Sequence, residues 1–267
     1  MIYALPPLAA EQIFHIGAFP VYNTFINSSL VLFGFICLGL LLRRRSAELP
    51  DKIQNFAESI LEACLGYMDQ VTHDRKKSIK FLPLTGSLFF FILVSNWLGV
   101  FPGIGSVGRW LLVHGEPELV PIFRPANTDL NMTLAMALLA IVLTHVFGII
   151  AVGFWRYANK FVKLGDIWMS FRKGGISIFV AVVEFFVGII EIFSEVAKVV
   201  SLSLRLFGNV FAGEVLLTVI AGMIAFFVPL PFVFLEILVG LIQAIVFSML
   251  VLVFLTMSTM ELAEAHH

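Results

Sequence analysis

Five apolar stretches, separated by polar or charged segments, organise this chain: Thr24–Leu42, Phe81–Phe101, Met132–Phe154, Ile176–Val228 and Phe232–Met260. Each of the first three suits a single helical crossing, which takes about 20 apolar residues. The fourth is more than twice that length, and no proline occurs between Pro125 and Pro229. As one helix it would extend roughly 75 Å at about 1.5 Å per residue, against a hydrocarbon core of about 30 Å. Tilts of up to about 40° do not absorb that excess. The pattern predicts either two crossings with a break near Gly208 or Gly213, or one steeply inclined helix. Pro229-Leu-Pro231 then turns the chain into the last helix and makes a hairpin.

A different period occupies the segment between the first two spans. Ile53, Phe56, Ala57, Ile60, Leu61, Cys64 and Met68 recur at spacings of three and four, with Asp51, Glu58, Glu62 and Asp69 elsewhere on the wheel. This predicts an amphipathic helix over residues 51–71, lying along the membrane surface or packed on a soluble partner. The expected fold is all-α, a single membrane domain over residues 1–267. It has five to six hydrophobic helices, one surface helix and a long C-terminal helical hairpin over 176–228 and 232–260.

Composition agrees. Of 267 residues, 60% are hydrophobic and only 13% charged, with a mean hydropathy of +0.99. Soluble domains carry about a quarter charged residues, so this is a polytopic membrane protein. Arg43, Arg44, Arg45, Lys52, Arg75, Lys76, Lys77 and Lys80 fall between the first two spans, and Arg156, Lys160, Lys163, Arg172 and Lys173 between the third and fourth. Only Arg109 and Arg124 lie between the second and third. The positive-inside rule puts the N-terminus outside and both basic linkers in the cytoplasm of a bacterial inner membrane. No basic residue precedes the first apolar run, so that span is expected to be retained rather than cleaved. Cys37 and Cys64 suggest neither a disulfide framework nor a metal site.

The charges inside the apolar regions carry the chemistry. The fourth region holds Glu184, Glu191, Glu195, Lys198, Arg205 and Glu214, and the fifth holds Glu236. A guanidinium in a membrane costs about 2.5–3.5 kcal/mol on insertion scales, and it cannot shed its charge. Arg205 is tolerated only if it faces a polar cavity or a carboxylate. At roughly 100° per residue from Arg205, Lys198 falls near 20°, Glu191 and Asn209 near 40°, Glu184 near 60° and Glu195 near 80°. Glu214 falls near 180°, so the polar lining changes sides at the arginine, as two separate aqueous paths would need. The plainer account pairs Glu195 and Glu191 with Lys198 at a helix interface. Glu236 and Gln243 share a face of the last helix, and an antiparallel hairpin would let Glu236 approach Glu214. Two acids meeting in a low dielectric suit proton exchange.

In the outer segment, Asp129 and Asn131 would cap the next helix or line a water-filled access from outside. His145 is expected to be hydrogen-bonded within the bundle, and His266 and His267 to form an exposed tail. There is no Gly-rich phosphate loop, metal-ligand cluster or Ser–His–Asp arrangement. No cofactor, metal or nucleic-acid partner is expected, and no catalysis by this chain alone.

Ser201-Leu-Ser-Leu-Arg205-Leu-Phe-Gly-Asn209-Val-Phe-Ala-Gly-Glu214 resembles the signature of subunit a of F-type ATP synthases. Ser95-Asn96-Trp97-Leu-Gly99-Val-Phe-Pro102-Gly103, Pro125 to Thr133 and Leu241-Ile-Gln243-Ala are similar to further segments of that family. The resemblance implies two long inclined helices curving around a rotating ring of c subunits. Arg205 would face the ring carboxylates as an electrostatic gate between two half-channels. Glu214, Glu236, Gln243 and Asn209 would belong to the outer one, with Asp129 and Asn131 near its mouth. Glu184, Glu191 and Glu195 would mark the cytoplasmic side. Implied partners are the c-ring, the b subunits of the peripheral stalk, the rest of the F1Fo complex and the lipid bilayer. Some members carry histidine where this chain has Glu236. Two other readings of the buried charges stay open: a self-contained transporter or channel, and a scaffold that uses its charges only for assembly.

Overall fold

The computed structural model describes residues 7, 9–45, 52–101, 107–113, 116–161, 175–223 and 227–260. His266, His267, Lys163, Arg172 and Lys173 lie outside the described residues. The helices are α1 (Asn23–Arg45), α2 (Lys52–Thr72), α3 (Arg75–Val100), α4 (Leu130–Val152), α5 (Phe154–Phe161), α6 (Gly175–Met223) and α7 (Pro229–Met260). Two short antiparallel hairpins complete it, β1 (Gln12–Ile16) with β2 (Phe19–Tyr22) and β3 (Gly108–Val113) with β4 (Glu116–Pro121).

The architecture is the all-α membrane type. Among the described residues, four helices are long and apolar enough to cross a membrane, over Asn23–Arg44, Arg75–Val100, Leu130–Val152 and Pro229–Thr259. The fourth apolar region resolves into the unbroken alternative. α6 runs for 49 residues through Gly208 and Gly213 without interruption. Nothing in its sequence removes a backbone donor, and a glycine lowers helix stability by only about 1 kcal/mol.

α7 packs against α3, α4 and α6, and α4 also packs on α6. Their shared core holds Ile92, Leu93, Ala137, Ala140, Leu202, Leu206, Phe247, Val251 and Leu255. α2 is amphipathic, burying Leu65, Met68 and Thr72 while Ile53, Phe56, Leu61 and Tyr67 stay exposed. Its turn into α3 is fixed locally. Asp74 caps α3 by accepting from the Lys76 N–H at 2.9 Å, and Arg75 reaches back to Glu62 at 2.5 Å and Asp69 at 2.8 Å.

On the opposite side, α4 begins at Asp129, whose carboxylate accepts from the Asn131 N–H at 2.9 Å. It ends at Gly153, which adopts φ 96°, a conformation that favours glycine, and whose N–H donates to the Ile149 carbonyl at 2.8 Å. That corner folds α5 back so that Tyr157 is buried. The two β-hairpins were not foreseen from the sequence. They lie in the segments before α1 and between α3 and α4, and side-chain hydrogen bonds from Arg109 and Asn23 join them. Arg109 donates to the Ile13 carbonyl at 3.3 Å, and Asn23 Nδ2 donates to the Pro121 carbonyl at 3.4 Å.

Candidate functional site

The candidate site is a string of polar groups along the seam where α6, α7 and the segment entering α4 meet. Arg205 itself is exposed on α6, and it has no hydrogen-bond or ion-pair partner among the described residues. Its neighbour Leu204 is exposed too, whereas Leu206 and Leu202 are in the core. The arginine therefore sits on an outward face of the bundle. One turn later the exposed Asn209 donates through Nδ2 to Gln243 Oε1 at 2.7 Å. Gln243 is buried, and its Nε2 has no partner among the described residues.

Glu236 lies one helical repeat earlier on α7, on the same face as Gln243. Its carboxylate rests against the backbone of Gly213. A methyl group at that glycine would come 1.9 Å from Glu236 Oε2, so a larger residue there would push the carboxylate aside. Glu236 is also within electrostatic reach of Glu214, the next residue of α6. With its carboxylate against Gly213, Glu236 thus approaches Glu214 across the hairpin.

Glu214 has a partner that the sequence did not reveal. Arg124 is only 1% exposed. Its Nη2 donates to Glu214 Oε2 at 3.0 Å and its Nε to Oε1 at 3.1 Å. Two further N–H groups go to main-chain carbonyls of the N-terminal segment, Pro7 at 2.8 Å and Ala9 at 3.1 Å. These bonds offset the cost of burying the guanidinium, because each unmatched donor would add a desolvation cost. One sign was available in the sequence. Arg124 is one of only two cations in the sequence between the second and third apolar stretches.

The loop that carries Arg124 is docked by amides. Asn127 Nδ2 donates to Asn96 Oδ1 at 2.6 Å, and Asn96 Nδ2 reaches the Gly240 carbonyl of α7 at 3.4 Å, between Glu236 and Gln243. Trp97 Nε1 donates to the Ile237 carbonyl at 3.1 Å. Asp129 caps α4 and also accepts from Thr24 Oγ1 at 3.4 Å, while the Asn131 side chain is exposed.

A second polar group lies lower on α6. Lys198 Nζ donates to Glu195 Oε1 at 2.7 Å, so the ion pair expected of these two is formed. Glu191 lines the same cavity. Glu184 is half-buried further toward the N-terminus of α6, away from both groups. Of the residues singled out from the sequence, the fold gathers Asn209, Glu214, Glu236 and Gln243 into one string. It gathers Glu191 and Glu195 into another, and leaves Arg205 exposed between them along the helix.

A family model described as "ATP synthase A chain" matches residues 24–256. Among curated relatives, "ATP synthase subunit a" of Moorella thermoacetica is 30% identical over 244 residues, 91% of this chain and 94% of that protein. "ATP synthase subunit a 2" of a Bradyrhizobium species is 30% identical over 249 residues, 93% and 94% of the two chains. "ATP synthase subunit a" of Mycobacterium ulcerans is 31% identical over 252 residues, 92% and 89% of the two chains. The match runs through every helix described above, and the chain accordingly belongs to the subunit a family of F-type ATP synthases, multi-pass membrane proteins of the Fo sector.

Proposed function

We propose that this chain is the proton-translocating stator subunit of its ATP synthase, with two offset aqueous half-channels kept apart by Arg205. The observation that carries this is the contrast along α6. A permanent cation stands exposed and unpaired among the described residues, while the nearby acids Glu214 and Glu195 are turned inward onto partners. A carrier must both gain and lose a proton, and a guanidinium cannot lose one. Arg205 therefore acts as an electrostatic gate. It attracts a deprotonated carboxylate on a passing c subunit and repels protons that would leak straight between the paths. Each charge moved is worth about 2.3 kcal/mol per 100 mV, which such a leak would dissipate.

Asn209, Gln243, Glu236 and Glu214 form the outer half-channel, with Asp129 and Asn131 near its mouth. Glu184, Glu191 and Glu195 serve the cytoplasmic one. The unused donor of Gln243 and the inward acids support a hydrated outer path. α6 and α7 form the inclined hairpin that faces the c-ring. An inclined course suits a 49-residue helix, whose length of roughly 74 Å exceeds the bilayer. The N-terminus lies outside the bacterial inner membrane and the basic linkers in the cytoplasm, where α2 lies along the surface.

Affinity purification in mild detergent tests this assignment against a self-contained transporter. The tagged chain is expected to bring with it a c-ring, the b subunits of the peripheral stalk and the F1 sector. Purification alone, with ion flux after reconstitution of the single chain, would overturn it.

A further inference from the structure

We propose that His145 relays protons between Glu195 and the cytoplasmic water, with Tyr157 as the next group in the chain. The proposal rests on the reading of Glu195 as part of the cytoplasmic half-channel. It adds two residues from outside α6, on α4 and α5.

The geometry is a continuous line of exchangeable groups. The α4–α5 corner at Gly153 brings Tyr157 under His145, and Tyr157 Oη lies 2.6 Å from His145 Nδ1. On the other edge of the ring, Nε2 stands 3.6 Å from Glu195 Oε2. One bridging water or a small rotation closes that distance. Glu195 Oε1 is held by Lys198, whose ammonium also lies 5.0 Å over the Phe254 ring.

All of these groups border one cavity of about 250 Å³. α6 contributes Glu191, Glu195 and Lys198 to it, α4 contributes His145, and α5 contributes Tyr157. From α7 come Phe254, Met257 and Ser258, none of which is charged. Lys198 is two helical turns before Arg205, about 10 Å along the axis. The cavity thus reaches from α5 toward the gate.

A histidine so placed has a function that a packing residue does not need. Its two nitrogens face different proton partners, and imidazole is the side chain suited to exchange near neutral pH. In the direction of release, protonated Glu195 gives its proton to Nε2. Nδ1 gives its hydrogen to Tyr157 Oη, and the phenol passes its own hydrogen to cavity water. Three bonds to hydrogen break and three form. Glu195 is left as a carboxylate beside Lys198, the phenol stays neutral, the ring has changed tautomer and the water carries the proton. Exchange with cavity water returns the ring to its first tautomer.

The test uses inverted membrane vesicles with the whole F1Fo complex, in which the cytoplasmic side faces the bath. His145→Ala is expected to slow ATP-driven acidification about tenfold, the scale of a lost acid–base group at its low end. Millimolar imidazole in the bath is expected to restore most of the rate, because it fits the space the side chain leaves. Tyr157→Phe keeps the ring but loses the hydroxyl, and is expected to slow pumping without responding to imidazole. Wild-type pumping in His145→Ala would overturn the relay. So would slow pumping that imidazole does not restore, accompanied by a loss of thermal stability, which identifies a packing residue. Glu195→Gln separates the two levels. If it stops pumping while His145→Ala does not, only the relay fails. If Glu195→Gln pumps normally, the placement of the cytoplasmic half-channel fails with it.

Discussion

Arg205→Ala is expected to abolish ATP-driven acidification of inverted vesicles at equal assembly of the complex. Leu202 and Leu206 on α6 are buried in the bundle, while Leu204 and Arg205 are exposed. A charge there would be costly against lipid, by about 2.5–3.5 kcal/mol, so it needs an anionic or aqueous counterpart outside this chain. Removing it takes away both the attraction for a ring carboxylate and the barrier between the half-channels. Passive proton conductance through vesicles stripped of F1 is then expected to rise while coupled pumping falls to background. Arg205→Lys restores a charge but neither the planar fork nor the permanence of a guanidinium, so it is expected to pump at least tenfold more slowly than wild type. Pumping by Arg205→Ala at the wild-type rate would make this arginine a structural residue.

The second large effect is expected at Arg124. Arg124→Ala removes a guanidinium that is 1% exposed, and leaves the partly buried carboxylate of Glu214 without its cation. Breaking a buried pair from one side costs about 3–5 kcal/mol. The same change releases the carbonyls of Pro7 and Ala9, through which Arg124 holds the N-terminal segment. The detergent-solubilised complex should therefore melt several degrees lower and assemble at reduced yield. Arg124→Leu combined with Glu214→Leu removes both charges together, and is expected to recover part of the stability but no pumping. That split separates the pair's contribution to the fold from Glu214's part in translocation. Equal melting of Arg124→Ala and wild type would show that the pair is dispensable.

What the sequence made legible follows from how local each feature is. The apolar run without proline left α6 as either one long helix or two crossings broken near Gly208 or Gly213, and it takes the unbroken course. The opposite placement of Arg205 and Glu214 was readable because a regular helix turns by a fixed angle per residue. An antiparallel hairpin was expected to let Glu236 approach Glu214, and Glu236 lies against the neighbouring Gly213. The Glu195–Lys198 pair needed only i,i+3 spacing.

The remainder depends on contacts distant in the chain. Arg124 finds its acid 90 residues later and its carbonyl partners more than a hundred residues earlier, and no periodicity encodes that. His145 was expected to be hydrogen-bonded in the bundle, and it is. Its partner Tyr157 comes from a short helix whose direction is set by the positive φ at Gly153. The two hairpins escaped notice because their strands are four to six residues long and lack a sustained alternation. For Asp129 the capping role is realised, with the side chain also bonded to Thr24. Asn131 is exposed beside it.

The central claim is that the α6 face carrying Arg205 lies against the ring. It is tested most directly by cysteine cross-linking in membranes, after Cys37 and Cys64 are replaced by serine. A cysteine at Leu204 is compared with one at Leu138, which is equally exposed but on α4. Each is paired with a cysteine beside the carboxylate of the c subunit. The expected result is a disulfide from position 204 that stops ATP-driven pumping until reductant is added, and none from position 138. A cross-link to the c subunit from position 138 and not from 204 would contradict the account.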